Sequence, residues 1–135
     1  MMKTFYVGVK AIIVDKQRGA LLLWCNRGEG YWDIPGGRID DNEALPDTLK
    51  RELNEELPGS KLVKMGKPLG AERIHKDIDG DISLVLLYYE VDAELPDPLV
   101  LSDDHSSYKW INTHADIPED VSTELAKILR DVVEK

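Results

Sequence analysis

The chain has 135 residues, 42% hydrophobic and 32% charged. This length suits one domain with a single core, and this composition excludes a long disordered tract. Its 17 basic and 26 acidic residues give a formal net charge of −9, a poor match for a nucleic-acid backbone or an anionic membrane, whose affinity rests on Lys and Arg. A phosphate-bearing ligand therefore needs a bridging cation or a local Arg/Lys cluster.

Residues 4–14, Thr-Phe-Tyr-Val-Gly-Val-Lys-Ala-Ile-Ile-Val, are β-branched and aromatic and predict a long strand. Lys3 precedes this apolar stretch, but Lys10 interrupts it and Asp15 ends it, so it is not read as a targeting segment. Residues 15–19 form a turn, and 20–25 a second strand that completes an antiparallel hairpin. The one cysteine, Cys25, lies in the apolar run Leu21-Leu22-Leu23-Trp24-Cys25. It allows no intrachain disulfide, suits a reducing cytoplasmic setting, and reads as a small buried hydrophobe.

A glycine-rich loop follows over 27–37, without the Gly-Lys-Ser/Thr ending of a P-loop or a dinucleotide fingerprint. A helix is expected over 46–57, with Pro46 at its first position, Asp47 at the positive end of the dipole, and Leu49, Leu53 and Leu57 as its buried stripe. Pro58-Gly59 ends it. Strands are expected at 61–74 and 81–91, the second apolar enough to be central, with Asp79-Gly80 as the turn between them. Residues 92–107 read as an irregular loop, 108–111 as a short strand, and 119–133 as an amphipathic helix. No window reaches the roughly 20 apolar residues of a spanning helix. The order predicts an α/β (α+β) fold, a mixed β-sheet with helices packed on it.

The chemistry concentrates in Arg51-Glu52-Leu53-Asn54-Glu55-Glu56. On a helix Glu52, Glu55 and Glu56 stand at i, i+3 and i+4 and share one face. Like charges at this spacing each cost a helix roughly 0.2–0.5 kcal/mol. Arg51 offsets part of that through an i, i+4 contact with Glu55. Such a cluster is either a solvated acidic face or a site for a hard cation, since Mg²⁺ and Mn²⁺ prefer oxygen ligands.

The residues before the helix decide between the two. Gly37, Glu43 and Arg51-Glu52-Leu53-Asn54-Glu55-Glu56, with the preceding Trp32-Asp33-Ile34-Pro35-Gly36-Gly37, resemble in residue and spacing the Nudix box, here about residues 37–59. The family usually places Gly two positions after the last box glutamate, followed by an aliphatic residue. Pro58 and Gly59 stand there instead and alter the helix stop, not the carboxylates.

The resemblance implies a single Nudix hydrolase domain over 1–135, with a mixed sheet sandwiched between helices. It implies hydrolysis of a nucleoside diphosphate linked to another group, with Mg²⁺ or Mn²⁺ bridging carboxylates and diphosphate. Glu52, Glu55, Glu56 and the carbonyl of Gly36 are the implied metal ligands. The implied catalytic carboxylates are Glu52, Glu55 and Asp104, with Glu52 either ligand or general base. Asp104 stands before His105, where the family more usually has Glu. Arg51 and Glu43 are expected to orient loop and helix by salt bridges. Arg27 and Arg38 are the expected phosphate contacts, with Arg73 less favoured. Trp24, Trp32, Tyr31 and Tyr88 are read as packing aromatics, and His75 and His114 as incidental.

The expected partner is a small nucleotide-like substrate, with neither membrane nor nucleic acid; a homodimer is compatible with the sequence. Motifs that mark the family's coenzyme A, NADH, ADP-ribose and dinucleoside polyphosphate subgroups have no clear counterpart. The expectation is thus a nucleoside triphosphate pyrophosphohydrolase. The alternatives are a non-catalytic nucleotide-binding module and an RNA 5′-end pyrophosphohydrolase.

Overall fold

A computed structural model describes residues 2–133. Seven strands and two helices follow in the order β1 (Phe5–Asp15), β2 (Gly19–Cys25), β3 (Tyr31–Asp33), β4 (Gly36–Arg38), α1 (Leu45–Glu56), β5 (Lys61–Asp79), β6 (Ile82–Glu94), β7 (His105–Ile111) and α2 (Thr123–Val132). A 3₁₀ turn at His114–Asp116 separates β7 from α2.

The strand β1 organises the sheet. It runs parallel to β6 from Phe5 opposite Ser83 to Ile13 opposite Val91. On its other edge it meets β4 antiparallel, Gly8 opposite Arg38 and Lys10 opposite Gly36. Only its last residues close the hairpin with β2, Val14 opposite Ala20 and Asp15 opposite Gly19. Asp15 Oδ1 fixes that turn by accepting the Gln17 and Arg18 amides at 2.8 and 2.9 Å. Beyond it β2 leaves β1 and pairs with β3 and β7, while β5 covers the far side of β6.

Alternation along β1 and β2 distributes the core. Val9, Ala11, Ile13, Leu21 and Leu23 face α1 and pack on Leu49, Leu53 and Leu57. Ile12, Ala20 and Leu22 face the other way and pack on Leu125, Ile128 and Leu129 of α2. The sheet is thus sandwiched between two helices, as expected. Removing a fully buried leucine side chain of this kind generally costs about 2–5 kcal/mol.

Several expected boundaries move. The helix expected at 119–133 starts only at Thr123, because Ser122 caps it: its Oγ accepts the Leu125 amide at 3.1 Å. The other helix starts one residue early, at Leu45, so Pro46 is not its first residue. The glycine-rich loop contains β3 and β4, whose three-residue lengths are too short to show an alternation. The strand expected to end at 74 runs to Asp79, and the one expected over 81–91 runs over Ile82–Glu94. The expected loop 92–107 therefore gives up both ends to strands, since β7 starts at His105 and not at 108. No helix among the described residues is long and apolar enough to cross a membrane.

Candidate active site

A cleft of about 620 Å³ crosses β1. Its floor is Gly8 and Lys10, and its carboxylate wall is Gly36, Gly37, Glu52, Glu55 and Glu56. The opposite wall is apolar, with Leu84 and Leu86 of β6 and Ile78 of β5. Parallel register produces this arrangement: Tyr6, Gly8 and Lys10 stand opposite Leu84, Leu86 and Tyr88, so all six point to one face. Arg27, Tyr31, Asp33, Arg38, Ser102 and Asp104 complete the rim.

Two glycines bring the helix carboxylates against the sheet. A Cβ on Gly37 would lie 2.3 Å from Glu52 Cδ, so a larger residue there would displace that carboxyl from its present position. Gly36 has φ +143°, and a Cβ there would meet the Val9 carbonyl oxygen at 2.2 Å. The Gly36 amide, thus presented, donates to Glu56 Oε2 at 2.8 Å.

Arg51 anchors the outer side of the wall. Its guanidinium donates to both oxygens of Glu43 at 2.8 and 2.9 Å, to Glu52 Oε1 at 2.7 Å and to the Arg38 carbonyl at 3.0 Å. Its approach to Glu55 Oε1, the contact anticipated from helical spacing, is longer at 3.6 Å. Glu43 also accepts the Asp40 amide and the Thr48 hydroxyl. Arg51 first, then the Asp40 amide, holds the Glu43 carboxyl down to about 2.

Glu56 is the opposite case. Burial pushes it up to about 7, against the charge of Lys10 and the Gly36 amide. Glu52 is also raised by burial, with Arg51 opposing. Glu55 is the exposed member, its side chain 60% accessible. Among the described residues no three His, Cys, Asp or Glu side chains converge enough to enclose a metal ion by themselves. The donor set nevertheless fits a small hard cation. All donors are oxygens, a glycine cradle holds them, and the half-buried Glu56 carboxyl receives one amide hydrogen bond and no direct ion pair. Mg²⁺ commonly takes a few carboxylates and completes its shell with water and substrate phosphate, which suits an open wall.

The other sequence-derived residues divide. Arg27, Arg38 and Asp104 reach the cleft, with Arg38 lying 4.3 Å over the Tyr6 ring. Arg73 instead lies 5.0 Å over Phe5. The backbone of Asp104 accepts the Asn26 amide at 2.8 Å, tying the β7 approach to the end of β2. His105 is buried, bonded to Ser102 Oγ at 3.2 Å, and lowered by burial. Trp24 and Trp32 pack edge to face at 5.2 Å. Tyr88 donates to Glu72, which also accepts Ser122 Oγ. His114 bonds backbone carbonyls at the end of α2.

Sequence reasoning missed Lys10, Asp33, Gly8 and the apolar wall as site residues. Lys10 was read only as an interruption of an apolar strand. It is 8% exposed, and its ammonium lies 3.2 Å from Asp33 Oδ2. A charge inside a β-branched run was the available signal, since buried lysine is rare without a partner.

Comparison with known proteins agrees with this geometry. The family model described as NUDIX domain matches residues 4–132. An 8-oxo-dGTP diphosphatase of Proteus vulgaris is 50% identical over 28 residues, 21% of this chain and 25% of that protein. The match thus spans a quarter of that relative's length. Among solved structures, the MutT protein of Methanosarcina mazei Go1 superimposes with a TM-score of 0.77 at 22% identity, covering 98% of this chain and 95% of that one. A MutT NUDIX hydrolase of Burkholderia pseudomallei gives 0.75 at 26% identity, covering 97% and 99%. Fold and cleft together set three helix carboxylates against a glycine cradle. The chain belongs to the Nudix family.

Proposed function

We propose that this hydrolase is a metal-dependent nucleoside triphosphate pyrophosphohydrolase. The carrying observation is one cleft that joins the wall of Glu52, Glu55 and Glu56 to rim arginines and an apolar wall. The three parts match a nucleotide's metal-bridged phosphates, its outer phosphate charge and its base. The name of the Proteus vulgaris relative specifies such a substrate for that protein and supports the same class here.

Glu52, Glu55, Glu56 and the Gly36 carbonyl would hold Mg²⁺ or Mn²⁺. Bound there, the metal supplies charge neutralisation at the phosphates and a more acidic water. Arg27 and Arg38 receive phosphate oxygens. The water oxygen bonds to phosphorus, the bridging P–O bond breaks, and a carboxylate takes the water proton. Glu52 is the first candidate for that role in place of a metal ligand's, since Arg51 engages Oε1 and leaves one oxygen, Oε2, for either. Asp104, on the opposite rim, is the second candidate. The domain assignment over 1–135, a cytoplasmic setting and a nucleotide rather than nucleic-acid partner belong to the same proposal.

The test is product release from ordinary and oxidised nucleoside triphosphates, ADP-ribose, nucleotide sugars and dinucleoside polyphosphates. Each is assayed with Mg²⁺, Mn²⁺ and chelator. Metal-dependent release of pyrophosphate and monophosphate from triphosphates supports the proposal. Preference for another class replaces the substrate assignment. Silence across the panel from folded, metal-binding protein favours capped RNA or a binding module.

A further inference from the structure

Lys10 is the cleft's most enclosed cation. Its side chain lies in the cleft floor beside Gly36 of the carboxylate wall. It projects from β1 onto the cleft face between Gly36 of β4 and Tyr88 of β6. Its stem runs along Gly36, where a Cβ would lie 3.0 Å from Lys10 Cδ, so the glycine that presents an amide to Glu56 also clears the path for lysine. The Lys10 side chain is only 10% accessible, and that of its partner Asp33 is 30% accessible. At 3.2 Å the pair is longer than the usual 2.7–2.9 Å of a charge-assisted bond. Asp33 is also committed elsewhere, accepting the Ile34 amide at 2.8 Å through its other oxygen. Burying a lysine ammonium is costly unless it is paired and hydrogen-bonded. A core position that needed only packing would be better filled by an apolar residue.

We infer that Lys10 is a resident counter-cation and substrate-contact residue. In the metal-free protein its ammonium screens Asp33 and the Glu52–Glu56 wall, and in the loaded protein it donates to the substrate's phosphate oxygens. The inference rests on the metal-centre reading above and adds a residue to it. Its physical content is competition. Lysine and metal ion draw on the same negative potential, so lysine weakens metal binding in the free protein. Once the metal neutralises the wall, the ammonium is attracted to the polyphosphate lying over the Gly8 floor.

The competition gives opposite signs to two measurements, which a merely structural role does not. Mn²⁺ is titrated into free parent, Lys10→Met and Lys10→Arg and followed by calorimetry. Removing one like charge from the cleft should tighten Mn²⁺ by about tenfold. Lys10→Arg should stay near the parent. The non-hydrolysed probe α,β-methylene-ATP is then bound to each Mn²⁺-loaded protein. Lys10→Met should bind it about tenfold more weakly, the loss of one charge-assisted contact, with recovery in Lys10→Arg. Parent that binds no Mn²⁺ overturns the metal-centre reading and this inference together. Parent that binds Mn²⁺, with equal or weaker binding by a Lys10→Met variant of native circular dichroism, overturns the inference alone. Tighter Mn²⁺ with unchanged probe binding overturns the substrate contact. If Lys10→Met does not fold, Lys10→Gln carries the same comparison.

Discussion

The two ends of α1 hold the same side chain in opposite states. Beside its N-terminus Glu43 is surrounded by donors: both oxygens meet the Arg51 guanidinium, and one also accepts the Asp40 amide and the Thr48 hydroxyl. At its C-terminus Glu56 is half-buried against β4 with one amide from Gly36. It also sits at the negative end of the helix dipole. The first carboxyl is held near 2 and the second pushed to about 7. A carboxylate whose donors are all supplied is a fastener, and one left short of positive charge is a place for a cation. Glu72 is tied down through one oxygen only, which accepts the Tyr88 and Ser122 hydroxyls away from the carboxylate wall.

The strongest way to break this comparison is Glu56→Gln. Loss of groups that merely orient metal ligands typically costs 10–100-fold, so loss of a ligand should lower kcat/KM by roughly a hundredfold or more. Folding should be intact by circular dichroism. Unchanged kinetics would remove Glu56 from the centre.

Metal-free stability against pH tests the same carboxyl without turnover. Glu56 has a folded value raised from 4.5 to about 7, so its contribution is full below about pH 4.5 and lost as pH rises through 7. The decline should be on the order of 2 kcal/mol between pH 4.5 and 8. Glu43 has the reverse sign: its contribution is present above 4.5 and lost as pH falls through about 2. Denaturant melts in chelator should show the high-pH decline in the parent and not in Glu56→Gln, and Mn²⁺ at pH 8 should offset it. Parallel curves for the two proteins would contradict the assignment.

At the fastened end, Arg51→Ala removes the donor shared by Glu43 and Glu52. It should destabilise by about 1–2 kcal/mol, a few charge-assisted bonds discounted for their partial exposure. An unchanged melting temperature would show that the fastening is cosmetic. The smallest effect is expected across the cleft: Asp104→Asn should raise the Mg²⁺ concentration for half-maximal turnover by about twofold to threefold, within the range for groups acting around a metal site. Superimposable metal titrations would take Asp104 out of the centre.

Repulsion among Glu52, Glu55 and Glu56 was legible from helical spacing alone, and the leucine stripe of α1 from its four-residue repeat. Both are local properties of a helix, which carries its own periodicity. The early strands and the central place of β6 were legible because alternation and apolar runs record burial. The start of α2 was not, since it depends on Ser122 acting as a cap. Nor were β3 and β4, which are held as strands by β2 and β1 and not by preferences of their own.

The sequence by itself determined a mixed sheet with helices packed on it, the carboxylate helix and the glycines before it, because spacing along one segment decides which groups share a face. Tertiary structure alone decided which carboxylates are short of positive charge. It also decided that Lys10 joins them and that Leu84, Leu86 and Ile78 face them across β1. Those relations depend on the parallel register of β1 with β6 and its antiparallel register with β4. Strands far apart in the chain share a register only once they pair, and one step of slip would turn every one of these side chains to the other face of the sheet.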